Sequence, residues 1–380
     1  MIEGAPEWAP SGLRMATQPQ QTTQQASAEL SLDTAALLAQ EEHGVSIAGR
    51  SPWYLAWRRL RRNYVAFAFL FIFVLIVVAC SLAPVYAHHV AHTGPDENHV
   101  TDTVKIGHKQ VPVMGLNTGG HIGVTILGPT WWHADGKFVL GADANGRDVA
   151  VRLLYGGITS LKVGIGSALI CTFLSVVLAL LAGYYRGWVD WVITRFFDLI
   201  WAFPVILLAI ALGAALAING IHWNLGLFTV SVSGGNLLIP TLVISYVLIP
   251  YIGRPLRGQI LSLREKEFVE AAIAQGASPL RIMFGEILPN VASSVLVFFT
   301  LIIANNILTE AALSFLGAGV QPPKASWGTL ISDGQTRLST APWLTLVPGI
   351  AIVLTVLSLN IFGDGLRDAL DPRAKVRIEH

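Results

Sequence analysis

The sequence predicts an all-α membrane protein with six spans, and three observations carry that prediction. Of 380 residues, 53% are hydrophobic and only 13% charged, about half the charged share of an ordinary soluble domain. Six apolar stretches, at 64–86, 160–184, 196–218, 237–252, 292–316 and 344–362, approach the roughly 20 residues that cross a hydrocarbon core. Between the fourth and fifth lies EAAIAQGASPLRIMFGEILPN, residues 270–290, which reads as two short helices hinged at Gly276 in an aqueous loop.

Taken in chain order, residues 1–50 are polar, carry a QPQQTTQQ tract and lack the apolar core of a cleavable signal peptide; they are expected to form a disordered cytoplasmic tail. Residues 51–86 bring in the first span. Residues 87–157 form an extracytoplasmic segment, with short strands expected in HKQVPVMGL and HIGVTILG. Residues 158–365 hold the other five spans and a loop at about 264–290, and residues 366–380 form a second cytoplasmic tail. The fourth span contains Pro240 and Pro250, which imply kinks inside a bundle.

Lys and Arg near span ends set the orientation. RRLRRN precedes the first span, five basic residues lie in 253–290 and four follow Gly363. The stretch 219–235 has none, and 317–343 has only Lys324 and Arg337. Both termini and the 264–290 loop are therefore expected on the cytoplasmic side.

Within the loop, Phe268, Ala271, Ala272 and Gln275 fall at i, i+3, i+4 and i+7, one face of a helix. Gly276 permits a left-handed C-terminal turn, and Ser278 before Pro279 has the form of an N-cap followed by proline at the first helical position. Pro289, after Ile287 and Leu288, is expected to close the segment. Such a unit suits a groove on a soluble partner, although a plain connector packed on its own bundle satisfies the same pattern.

Glu270-Ala271-Ala272, then Gly276, then Ile287-Leu288-Pro289 resembles the EAA loop of permease subunits in ATP-binding-cassette importers. Four further stretches resemble the C-type permeases of the dipeptide, oligopeptide and nickel branch: SPWYLAWRRLRRNYVAFAFLFI, LGADANGRDVAVRLLYGGITSLKVG, ALSFLGAGVQPPKASWGTLISDG and NIFGDGLRDALDPR. Together they reach from about 51 to 373. Ala142 stands where that family often has Thr, Ile158 where it often has Arg, and both the N-terminal tail and the external segment before Gly141 are longer than usual.

The resemblance implies the six-helix fold of a type I importer transmembrane domain, with the EAA loop as a coupling helix near 267–286 that sits in a cleft of an ATPase. It implies a heterodimer with a second permease, two ATP-binding subunits and an extracytoplasmic substrate-binding protein, in a bacterial inner membrane. ATP and Mg would be bound by the ATPase subunits, with no cofactor in this chain. Di- or oligopeptides are the expected cargo, with nickel or other metal chelates and glutathione as alternatives.

Other polar residues carry competing readings. Asp198 in the third span and Asn305, Asn306 and Glu310 in the fifth are candidates for lining a pathway or for pairing helices. Arg147 and Asp148 beside Gly141 and Gly146, together with Gln321 and Trp327, either brace the external loops or contact a delivery protein. His88, His89 and His92 form a small cluster, read as a solvated loop rather than a metal site. Cys80 and Cys171 lie inside apolar runs and read as small hydrophobes. SVSGGN at 231–236 reads as a turn.

Several classes are excluded by what the sequence lacks. There is no G-x-x-x-x-G-K-[ST] phosphate loop and no H-E-x-x-H pair, so the chain is expected to be a transport subunit and not an enzyme. Basic residues are dispersed, which argues against a nucleic-acid partner. Few charges lie at membrane depth and no inverted repeat is evident, against an ion-driven secondary transporter.

Overall fold

The computed structural model describes residues 52–116, 124–224 and 229–370. The expected tail at 1–50, the tail beyond 370, His121 and the opening of HIGVTILG lie outside the described residues. The described residues from Leu55 onward form one compact unit.

Helix α1 (Pro52–Leu60) leads to α2 (Tyr64–Ser81). Between them Asn63 caps α2, its side chain accepting the Ala66 N–H at 3.0 Å. Helix α2 packs on its neighbours sparsely and exposes Tyr64, Val65, Phe71 and Leu75, as a lipid-facing span does. It passes into α3 (Ala83–Tyr86) and a π-helical turn, Ala87–Ala91.

The segment between the π-helical turn and residue 148 builds two small hairpins: β1 (Thr103–Ile106) with β2 (Lys109–Pro112), and β3 (Met114–Leu116) with β4 (Val124–Ile126), both antiparallel. The expected strands thus appear as β2, β3 and β4. Val104, Val113, Leu127, Ala134, Phe138 and Ala142 form a separate small core beneath them. Asp148 fastens this layer to the bundle: its carboxylate accepts the N–H of Phe138 at 2.6 Å and those of Ala150 and Val151 at 2.8 and 3.2 Å.

Those last two bonds cap α4 (Val149–Tyr185), 37 residues long and so about 55 Å from end to end. It is the central post of the bundle. Small residues on it admit close neighbours, and a Cβ at Gly164 would collide with the Ile307 side chain.

The third apolar stretch does not form one straight span. It is two helices, α5 (Gly187–Trp201) and α6 (Val205–Asn219), bent by 86°. Pro204 has no N–H to continue the ladder and disfavours helical geometry at Phe203. The expectation of a continuous span at 196–218 is corrected accordingly. After α6 a hairpin not foreseen from sequence, β5 (Ile221–Asn224) and β6 (Thr229–Val232), pairs antiparallel. SVSGGN then makes the expected turn, with Asn236 N–H on the Ser233 carbonyl at 2.9 Å.

Helix α7 (Leu238–Arg264) is 27 residues long, against 16 expected at 237–252. It continues through Pro250 and Pro255, and Ser175 of α4 donates to the Ile249 carbonyl at 2.9 Å beside the first of them. After α8 (Glu267–Ala274) come α9 (Pro279–Arg281), a π-helical turn (Ile282–Ile287) and α10 (Leu288–Phe315). A capping box of Ser326 and Thr329 starts α11 (Trp327–Gln335), and α12 (Trp343–Leu370) completes the bundle.

Among the described residues, five helices are long and apolar enough to span a membrane, or six with the bent pair counted as one. Helices α4, α7 and α10 enclose the core, with Val163, Ile244, Ile252, Ile302 and Ile307 fully or almost fully buried.

Candidate functional site

The loop between α7 and α10 is held by local chemistry that is visible residue by residue. Glu267 and Glu270 lie in the first turn of α8, where negative charge suits the helix dipole. The helix ends in a Schellman turn: Gly276 donates to the Ile273 carbonyl at 2.9 Å and Ala277 to Ala272 at 3.1 Å. Gly276 sits at φ +77°, a left-handed conformation that side chains strain. Ser278 then accepts the Arg281 N–H at 3.4 Å, with Pro279 at the first helical position.

Val269 is fully buried and pins α8 to the bundle, a burial worth about 2 kcal/mol. Ala272 and Ala277 pack beside it. Everything else on α8 faces outward. Phe268 and Ile273 are exposed, as are Leu280 and Phe284 on the second limb. Phe268, Ala271 and Gln275 share the exposed face foreseen from the sequence, whereas Ala272 turns partly inward. Ile273, Leu280 and Phe284 were missed, although Leu280 and Phe284 stand four residues apart on a helix, a visible signal.

Two expectations for this loop are corrected. The second limb is not a short helix, because residues 279–315 run on as one 37-residue helix. Pro289 does not close it either. The π-helical turn at Ile282–Ile287 widens the ladder just ahead of Pro289 and accommodates the missing N–H and the ring. Ile287 is buried, Leu288 half-buried and Pro289 exposed.

At the opposite end of α4 from this loop, Arg147 donates to Asp143 at 2.7 Å and to Asp333 at 3.3 Å. Arg152, only 2% exposed, lies 3.3 Å from Asp96, 3.6 Å from Asp143 and 3.7 Å from Asp333. The cluster ties the 141–152 stretch to α11. Burial raises the Asp333 carboxyl above its usual range, with Arg152 and Arg147 pulling the other way. Burial also raises Asp148, opposed by the N–H groups of Phe138, Val151 and Ala150.

For Asp148 and Trp327 these contacts support the bracing role. Asp148 and Trp327 are buried, and Trp327 donates its indole N–H to the Leu153 carbonyl at 3.1 Å. Gln321 folds back onto the Gly317 and Gly319 carbonyls. Arg147 is committed to its two carboxylates.

The intramembrane candidates separate. Asn306 bonds Ser167 of α4 at 2.8 Å, Asn305 is half-buried, and Glu310 is fully buried and bonded to the Ser314 hydroxyl at 2.6 Å. Pairing of helices is what the Asn306–Ser167 bond supports, whereas the Glu310–Ser314 bond stays within α10. Asp198 lies on α5, held by Arg254 at 2.8 Å, and not in a straight third span. Glu310→Gln, which keeps an acceptor for Ser314, is expected to leave thermal stability within about 1 kcal/mol, whereas Glu310→Ala is expected to cost about 1–3 kcal/mol; melting of both purified variants checks this.

His88 and His89 lie with ring centroids 4.9 Å apart and planes tilted by 56°, and among the described residues no three His, Cys, Asp or Glu side chains are arranged to hold a metal ion.

Comparison with known proteins decides what these features belong to. Residues 175–376 match the family described as binding-protein-dependent transport system inner membrane component. The chain belongs to that family. Residues 51–102 match a second description, the N-terminal transmembrane domain of oligopeptide transport permease C. The dipeptide transport system permease protein DppC of Alkalihalophilus pseudofirmus is 36% identical, over 86% of this chain and 91% of its own length. The glutathione transport system permease proteins GsiD of Pectobacterium atrosepticum and Escherichia coli are 36% and 38% identical over the same share of this chain and 93% and 92% of theirs. A chain of the MetNI methionine ABC transporter, captured inward-facing, aligns at 16% identity with a TM-score of 0.47, covering 58% of this chain and 96% of that one. The chain is thus a multi-pass permease subunit of an ABC importer in a bacterial inner membrane.

Proposed function

We propose that the chain forms half of the translocation pathway of an ATP-driven importer for di- or oligopeptides, glutathione included among the alternatives. A second permease completes the pathway as a heterodimer, two ATP-binding subunits dock on the cytoplasmic side, and an extracytoplasmic binding protein delivers the substrate. ATP and Mg belong to the ATPase subunits. This chain carries out no chemistry of its own, and both its termini are cytoplasmic. Metal chelates are the next cargo class.

One observation carries the docking part of this reading: α8 is anchored through Val269 with Ala272 beside it, while Phe268, Ile273, Leu280 and Phe284 stand exposed on one loop. Exposed apolar groups of this kind are interface anchors. In this mechanism, closure of the ATPase pair on ATP moves α8, and the stiff helix from Pro279 to Phe315 carries the movement into the bundle.

The test is co-purification in mild detergent from the native membrane, with mass spectrometry of partners and ligand. The wild-type chain is expected with two ATPases, a sister permease and a peptide-loaded binding protein. Ile273→Arg is expected to lose the ATPases by about 30-fold, the effect of about 2 kcal/mol at an interface centre, with the sister permease retained. Recovery without any ATPase in the wild type, or full ATPase recovery with the variant, would refute the docking site.

A further inference from the structure

Helix α5 divides its side chains between two environments. Ile193, Phe197 and Ile200 are buried against the bundle. Flanking them, Asp190 holds Arg257 of α7 through two bonds, and Asp198 holds Arg254. On the opposite side Trp188, Trp191 and Leu199 are 76%, 62% and 60% exposed. They fall at i, i+3 and i+11, one stripe of a helix. Arg195 stands in the same row, 66% exposed, 3.6 Å from the Asp198 carboxylate and with its guanidinium 5.9 Å from the Trp191 ring.

The position of this stripe narrows what covers it. Helix α5 begins where α4 ends and meets α6 at 86°, so α5 and α6 cannot both run along the membrane normal. The membrane surface concerned is the one beside α8, because Arg186 at the α4–α5 junction pairs with Glu265 at 2.5 Å, two residues before α8 begins. Tryptophan is the side chain that settles at headgroup level. An arginine between tryptophans adds charge complementary to phosphate.

We propose that α5 is an interfacial helix, bedded through Trp188, Trp191 and Leu199 in the cytoplasmic leaflet, with Arg195 on the phosphate of an anionic glycerophospholipid. The ion pairs from Arg186, Asp190 and Asp198 to Glu265, Arg257 and Arg254 then fix the end of α7, and with it the root of α8, to the membrane surface. The inference rests on the cytoplasmic placement of α8 and goes beyond the transport reading in naming a lipid contact.

Cys80 and Cys171 are buried, so both are replaced by serine and single cysteines are placed at Trp191, Leu199, Leu207 and Ala211. The assembled transporter is spin-labelled in nanodiscs of phosphatidylcholine with phosphatidylglycerol, and collisions with oxygen and with a water-soluble nickel chelate are compared. Labels at 191 and 199 are expected to be mobile and at equal, shallow depth, while the oxygen-to-nickel ratio rises from 207 to 211. Labels at 191 and 199 shielded from both reagents would overturn the proposal in favour of a protein cover such as the sister permease. A ratio rising from 191 to 199 would overturn it in favour of a slanted span.

In native mass spectrometry Arg195→Gln is expected to retain about fivefold less phosphatidylglycerol, and unchanged retention overturns the headgroup contact. A cysteine at Ala271, probed with an impermeant reagent on sealed vesicles, reports the side separately. An external label there refutes the orientation, whereas a cytoplasmic label with shielded positions 191 and 199 refutes only the lipid contact.

Discussion

Gly276→Pro is expected to abolish ATP-driven uptake in reconstituted vesicles while the protein still inserts and ATP hydrolysis persists without transport. The effect is entirely of the backbone. No heavy atom lies within 4 Å of a Cβ built at this position, so size is not penalised. Proline instead forces φ to about −65° where the chain needs +77°, and deletes the N–H that Gly276 donates to Ile273. Gly276→Ala meets only the left-handed penalty, about 1–2 kcal/mol, and is expected to lower uptake partially. Gly276→Asn should be milder still, because asparagine tolerates that conformation. An order of effect that followed side-chain volume instead would refute this account.

Arg152→Met is expected to be the most destabilising single change at the N-terminal end of α4. It leaves Asp143, 5% exposed, with one buried cationic partner fewer, and breaking a buried pair from one side costs about 3–5 kcal/mol. Steady-state protein in the membrane and the melting temperature should both fall. The double variant Arg152→Met with Asp143→Asn should recover part of the loss, since the buried charge left with Arg147 alone is then gone. If the double variant were as unstable as the sum of its parts, the Arg152–Asp143 pair would not be what holds the 141–152 stretch.

Much of this was readable in the one-dimensional pattern, for identifiable reasons. The turn at Gly276 and the cap at Ser278 depend on single residues with narrow conformational preferences, so their chemistry is local. Long apolar runs likewise mark spans without help from tertiary structure. The break at Pro204 was hidden because apolar residues continue on both sides of it. The true length of α7 was hidden because Arg254 and Arg257 look like the end of a span until their partners on α5 are seen. Their cost is offset by Asp198 and Asp190, residues more than fifty positions away. The burial of Trp327 and Asp148 was also invisible, since a glycine-rich motif beside a polar loop reads the same whether it faces solvent or packs inward.

The length of α4 sets a geometric limit on any motion of the whole. Its 37 residues make a rod about 55 Å long, with the Arg152 cluster at one extremity and the Arg186–Glu265 pair at the other. A rod that cannot stretch can only slide, spin or tilt. A tilt of about 10° about its midpoint displaces each extremity by about 5 Å, in opposite directions. Widening at one membrane face is then narrowing at the other, as it is for the two ends of a seesaw.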